Sequence, residues 1–158
     1  MALKIWRLLT ILLAALSLTM ESAHLLEMPQ KMQYGPELYS SVNTTMYKYF
    51  AYVGGVWQTG SIAAALILVY LVRKRRESFR WALAGAVLLV FSFVTWLAVV
   101  APVNGQIAEA MRSAPGSVAE LWMELRDRWE YGHAAGFVLQ LPGLAALVWS
   151  VVTETPER

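Results

Sequence analysis

The chain has 158 residues, of which 58% are hydrophobic and 15% are charged. With a mean hydropathy of +0.47, this composition is too apolar for a water-soluble domain and indicates an integral membrane protein. The absence of cysteine excludes disulfides, thiolate metal ligands and thiol redox chemistry. The net charge of +2 does not favour nucleic-acid binding, because most of it comes from one short basic turn.

Four apolar segments are each close to the length of about 20 residues that crosses a bilayer. We predict transmembrane helices at about residues 5–28, 45–72, 79–101 and 130–152, joined after helix three by an outer connection over residues 102–129. Pro29 is expected to end helix one, and the proline and glycine within residues 101–105 are expected to end helix three. The predicted fold class is therefore all-α, an integral membrane four-helix bundle in a single membrane domain over residues 1–158.

An apolar stripe lies inside the outer connection. Its residues recur at helical spacing between charged ones: Val118, Leu121, Trp122, Leu125 and Trp129. The pattern predicts an amphipathic outer-side helix between helices three and four, which either lies on the outer surface or caps the bundle and continues into helix four.

The basic residues predict the orientation of the bundle, because they tend to stay on the cytoplasmic side. Lys4 and Arg7 precede helix one, and five more basic residues lie between helices two and three, within residues 73–80. We predict a bacterial inner-membrane protein with both termini in the cytoplasm, and an uncleaved first helix since no small-x-small cleavage site follows it. The expected partners are the lipid bilayer and a lipophilic or aromatic small molecule. Gly54, Gly55 and Gly60 fit either packing within the bundle or a homo-oligomer seam.

The chain contains two histidines, and each ends a Glu-x-x-His motif, Glu21 to His24 and Glu130 to His133. A Glu and a His three residues apart share one face of a helix, and Glu27 extends the first motif. Helix one leaves the membrane on the side where helix four enters it. We therefore expect the two motifs at similar depth, where ionisable groups usually face the bundle interior.

Three interpretations of these motifs are open. In the first, one iron, manganese or zinc ion binds to a set of five side chains, or the two imidazoles ligate a haem: Glu21, His24, Glu27, Glu130 and His133. In the second, no cofactor binds, and His133 acts as a general base on a lipophilic substrate, with Glu130 or Glu21 orienting its ring. In the third, the groups are wet interfacial residues, and Glu130 forms a surface ion pair with Arg126.

Two short stretches resemble a known family. Pro102-Val103-Asn104 and the run from Leu125 to His133 resemble the C-terminal signature of the anthrone-oxygenase-like family of small four-helix membrane proteins, and the run from Ala23 to Met32 resembles a bacterial branch of it. The resemblance implies oxidation of a phenolic anthrone to a quinone by molecular oxygen, with no recognised cofactor. The matched polar residues are Asn104, Arg126, Trp129 and His133. Among these, we expect His133 to remove a proton and Arg126 to stabilise the resulting anion.

The sequence therefore predicts a membrane oxidoreductase with oxygenase-like chemistry at a Glu/His site near the outer surface. One alternative is a non-enzymatic membrane subunit that docks a partner through the amphipathic helix, and another is a metal- or haem-binding membrane protein. An enzyme should lose its function with His133→Ala, whereas a docking protein should lose it with Trp122→Ala or Leu125→Ala.

Overall fold

The computed structural model describes residues 1–113 and 118–154. Within them, four helices are long and apolar enough to cross a membrane: Ala2–Lys31, Tyr49–Val72, Arg76–Glu109 and Trp122–Val152. The predicted all-α four-helix membrane bundle is confirmed. In chain order its elements are α1 (Ala2–Lys31), α2 (Pro36–Thr45), α3 (Lys48–Val72), α4 (Arg76–Thr95), a π-helical turn (Trp96–Val100), α5 (Ala101–Ser113) and α6 (Val118–Val152).

Two prolines do not end helices where the sequence predicts it. Pro29 lies inside the last turn of α1, which continues to Lys31, because a proline there removes only one hydrogen bond. Pro102 lies at the start of α5, directly after the π-helical turn, in which the Ala101 N–H bonds to the Trp96 carbonyl. This wider turn accommodates a residue without an N–H, so the predicted interruption at residues 101–105 is wrong and the chain stays helical.

The predicted amphipathic segment is the first part of α6 and runs without a break into the fourth span. Its residues Trp122, Leu125 and Trp129 are buried in a cluster with Tyr39 of α2 and with apolar residues of the π-helical turn and α5. Residues 114–117 and the side chains of Val118 and Leu121 lie outside the described residues. The part of the stripe that is described therefore packs on the chain itself and caps the bundle.

Small residues bring the spans close together. A Cβ atom on Gly85 of α4 would lie 2.9 Å from the Gly143 carbonyl oxygen of α6, so these helices meet almost backbone to backbone. Gly54 and Gly60 of α3 face α1, where a Cβ atom would lie 3.3 Å from Met20 Cγ and 3.9 Å from Leu13 Cδ1, respectively. These two glycines thus serve packing within one chain, and the homo-oligomer stays a prediction.

Charged residues mark one end of the bundle. The Glu154 carboxylate after α6 lies 2.9 Å from Arg7 Nη2 and 2.6 Å from Arg75 Nη1, which joins both ends of the chain to the α3–α4 turn. Partial burial favours a higher pKa for Glu154, but the two guanidinium groups outweigh it and hold the pKa below the ordinary 4.5. The distribution of basic residues along the sequence predicts that the chain ends and the α3–α4 turn lie on the same side of the membrane. The two Glu-x-x-His motifs lie at the other end of α1 and α6.

Candidate functional site

The two Glu-x-x-His motifs meet between α1 and α6. His133 Nδ1 lies 2.8 Å from Glu21 Oε2, and the centroids of the His24 and His133 rings are 4.1 Å apart. All three side chains are buried. The shared site expected from the topology is therefore formed, and Glu21 rather than Glu130 contacts the His133 ring.

Gly136 makes room for this contact. It follows His133 by three residues, so both lie on the face of α6 that is turned toward α1. A Cβ atom on Gly136 would lie 2.9 Å from Glu21 Cδ and 3.0 and 3.1 Å from its two carboxylate oxygens. A side chain at this position would push the carboxylate away from the imidazole.

Glu130 belongs to a second polar group. Lys31 Nζ lies 2.8 Å from Glu130 Oε1, and the two side chains are only 3% and 0% exposed. Tyr39 Oη donates a hydrogen bond of 3.0 Å to the same oxygen. Burial, together with the nearby carboxylate, raises the pKa of Tyr39 above its ordinary range, so the phenol stays protonated and can donate. Glu130 therefore joins the end of α1 and the α2 helix to α6.

Arg126 does not form the predicted surface pair with Glu130. Its Nη2 atom lies 2.8 Å from Asp127 Oδ1, and its Nη1 atom donates a hydrogen bond of 2.8 Å to the Met32 carbonyl. The carboxylate of the adjacent Asp127 balances the charge of Arg126, and Glu130 pairs instead with the buried Lys31. Arg126 is not among the residues that line the cavity described below, so the expected anion-stabilising role of Arg126 has no support in the geometry.

Trp129 connects the two polar groups. Lys31 Nζ lies 3.9 Å from the centroid of the Trp129 ring, which is a cation–π distance. The Nε1 atom of Trp129 donates a hydrogen bond of 2.8 Å to Asn104 Oδ1. Its ring packs at centroid distances of 4.8 Å from His24 and 4.2 Å from His133. Since the indole is held at both its face and its edge, it fixes the position of the two imidazoles.

The histidines face a cavity of about 340 Å³, a size typical of small-molecule sites. Glu21, His24 and His133 line one side of it, and the other walls are mainly apolar and aromatic, including Phe50, Phe93 and Trp96. Its polar floor is held by hydrogen bonds: Gln140 Nε2 donates to Gln58 Oε1 at 2.8 Å and to Ser92 Oγ at 3.1 Å, and Ser17 Oγ also contacts Gln58.

The nitrogen atoms of the two histidines differ in their partners. His133 Nδ1 is engaged by Glu21, so Nε2 is the atom with which this ring can meet a molecule in the cavity. His24 Nδ1 is buried and makes no hydrogen bond within the described part of the chain. Of the two rings, His133 is therefore the one placed to bond to a molecule in the cavity.

The five predicted metal ligands do not converge on one point. Glu27 accepts a hydrogen bond from the Tyr47 hydroxyl, and Glu130 is held by Lys31 and Tyr39. In residues 1–113 and 118–154, no group of three or more histidine or acidic side chains is arranged to hold a metal ion. Glu21, His24 and His133 remain, and within this set Glu21 and His133 have the geometry of a base and the carboxylate that orients it.

A family model described as anthrone oxygenase matches residues 45–148, which is more than half of the chain. The chain belongs to the anthrone oxygenase family. The match covers α3 to α5 and most of α6, including Asn104, Trp129 and His133, whereas Glu21 and His24 precede it. No curated protein and no solved structure matches the chain. Membership of the anthrone oxygenase family confirms the resemblance seen in the sequence and suggests an oxygenase-like role.

Proposed function

We propose that this protein oxidises a lipophilic phenolic aromatic molecule, of the anthrone type, with molecular oxygen in the cavity between its spans. The contact between Glu21 and His133 carries this proposal. A carboxylate that accepts the Nδ1 hydrogen keeps the proton on that nitrogen and leaves the lone pair of Nε2 to act as a base toward the cavity. The mainly apolar walls suit an aromatic substrate with few polar groups.

The first step is proton removal. His133 takes a proton from the activated methylene carbon of the substrate, and the electron pair of that bond passes to the substrate carbonyl to form an electron-rich enolate. Glu21 stabilises the imidazolium that forms. Asn104 also lines the cavity, and because its Oδ1 accepts from Trp129, its amide N–H₂ group is available as a donor to the enolate oxygen.

The enolate then supplies the electrons for reaction with oxygen. Its carbon forms a bond to O₂, and the imidazolium returns its proton to the terminal oxygen to give a hydroperoxide. His133 removes the second hydrogen from the same carbon while the O–O bond breaks, which forms the quinone carbonyl and hydroxide. The imidazolium protonates the hydroxide to water. Each anthrone and O₂ thus give one quinone and one water, without an external reductant.

Oxygen uptake tests this function. Protein purified in mild detergent is mixed with 1,8-dihydroxyanthrone, and oxygen consumption and quinone absorbance are followed together. We expect equal amounts of oxygen consumed and quinone formed, at a rate well above autoxidation without protein. Glu77→Gln, a change at an exposed residue in the basic turn, should have no effect. Rates equal to the protein-free solution for this and other anthrones would contradict the proposal.

Gly136→Ala should reduce this activity without preventing folding. The added methyl group displaces the Glu21 carboxylate from His133, and a misplacement of about 1 Å in a catalytic group can cost roughly 100-fold in rate. Steady-state rates and thermal unfolding in detergent would measure the two effects. Gly35→Ala is the matched control, since a Cβ atom there meets nothing within 4 Å. Equal activity of the Gly136→Ala variant and wild type would show that the Glu21–His133 contact does not contribute to the rate.

A further inference from the structure

One side of the cavity is not closed by helix packing. Among the described residues, α3 packs on α1 and α4 but scarcely touches α5. The cavity reaches this gap, with Gly54 and Gly55 of α3 on one side and Asn104 and Ala108 of α5 on the other. The α3 side belongs to the apolar span Tyr49–Val72, and the α5 side belongs to the last part of the long helix Arg76–Glu109. The gap therefore lies where the apolar span of α3 begins, at the end of the bundle opposite the α3–α4 turn.

The α3 side of the gap is open because its residues are small. A Cβ atom on Gly55 would meet nothing within 4 Å, and Ala51, one turn before it, also lines the cavity. The neighbouring side chains Tyr52 and Val56 are each 69% exposed. Exposed apolar side chains within a span face acyl chains rather than water, so the gap opens toward the bilayer.

We propose that the substrate reaches the cavity sideways from the bilayer, through the gap between α3 and α5 and past Gly54 and Gly55. A flat aromatic molecule of low polarity partitions into the hydrocarbon region, and this route leads it to Glu21 and His133 without a passage through water. Because Gly55 has no side chain and a Cβ atom there would meet nothing within 4 Å, this residue leaves a slot for a flat ring system. The inference rests on the proposed function only for the chemistry of the molecule that enters.

Thiol labelling tests the route without any turnover. Because the chain contains no cysteine, Gly55→Cys introduces a single thiol beside the gap. The variant is placed in phosphatidylcholine liposomes and treated with N-(1-pyrenyl)maleimide, which partitions into the bilayer, or with a charged trimethylammonium methanethiosulfonate, which stays in water. Each reaction is repeated with 1,8-dihydroxyanthraquinone, a flat molecule that is not oxidised further. Thr59→Cys is the matched control, since Thr59 is exposed on the same helix and does not line the cavity.

We expect the pyrenyl reagent to label both thiols and the charged reagent to label neither. The quinone should abolish labelling at residue 55 and leave labelling at residue 59 unchanged. Labelling of Gly55→Cys by the charged reagent would overturn the proposal, because the cavity would then open to water. Unchanged labelling with the quinone would also overturn it, since the gap would then hold an acyl chain or nothing. If the quinone protects residue 55 but no oxygen uptake occurs, the route stands and the proposed oxidation fails.

Discussion

Replacing His133 with alanine is expected to lower kcat/KM for anthrone oxidation by about 10²- to 10⁴-fold, the usual contribution of a positioned general base. The imidazole lines the cavity, and Glu21 holds its Nδ1 at 2.8 Å, so Nε2 is the atom that can meet the substrate. Glu21→Gln should give a smaller loss, because the amide can keep the hydrogen bond but cannot stabilise the imidazolium by charge. Initial rates of quinone formation would measure both effects.

Two controls test whether the loss is catalytic rather than a loss of folding, and whether Glu21 and His133 act together. Binding of 1,8-dihydroxyanthraquinone and the unfolding temperature in detergent should change little in the Glu21→Gln variant, which preserves the size of the side chain. The double variant His133→Ala, Glu21→Gln should be no slower than His133→Ala alone, since the two residues act as a unit. Full activity of His133→Ala, or additive losses in the double variant, would argue against a shared role.

The second large effect concerns stability. Lys31→Met should lower the free energy of unfolding by about 3–5 kcal/mol, because it leaves the Glu130 carboxylate buried without its cation. Lys31→Met, Glu130→Gln should restore much of this loss, since the amide carries no charge and still accepts from Tyr39. Unfolding by sodium dodecyl sulfate in mixed micelles would measure the four members of this cycle.

The exposed pair of Arg80 and Glu77 provides the comparison for this cycle. Their side chains are 66% and 60% exposed and lie 3.6 Å apart, so Arg80→Met should change the free energy of unfolding by less than about 1 kcal/mol. If Lys31→Met proved equally mild, or if the double variant were less stable than Lys31→Met, the buried pair would not stabilise the packing of α1 on α6.

The four spans and the proximity of the two histidines can be predicted from sequence, because both depend on the average properties of long segments rather than on single contacts. Hydropathy identifies the four spans, and the up-and-down topology of the chain brings His24 and His133 to the same end. The helix ends are harder to predict, since the effect of Pro29 and Pro102 depends on how many hydrogen bonds remain and on the π-helical turn before Pro102.

The partners within the site were less accessible from sequence. Arg126 and Glu130 have the spacing of a helical ion pair, yet Lys31, which is distant in the chain, takes the carboxylate. Lys31 and Tyr39 follow the predicted first span, in a segment that the sequence indicates to be a polar connection, and only the packing of the end of α1 and of α2 on α6 gives them a role. A sequence pattern also cannot distinguish Gly136, which accommodates a carboxylate, from the glycines that serve helix packing.

Proton removal by the Glu21–His133 pair is the central claim, and a deuterium isotope effect tests it most directly. Quinone formation is measured with 1,8-dihydroxyanthrone and with the same compound carrying two deuterium atoms at its methylene carbon, under saturating oxygen. We predict that wild-type protein reacts more slowly with the deuterated compound and that His133→Ala lowers both protein-dependent rates by about 10²- to 10⁴-fold. Equal rates with the two compounds, together with unchanged activity in His133→Ala, would contradict proton removal by this pair.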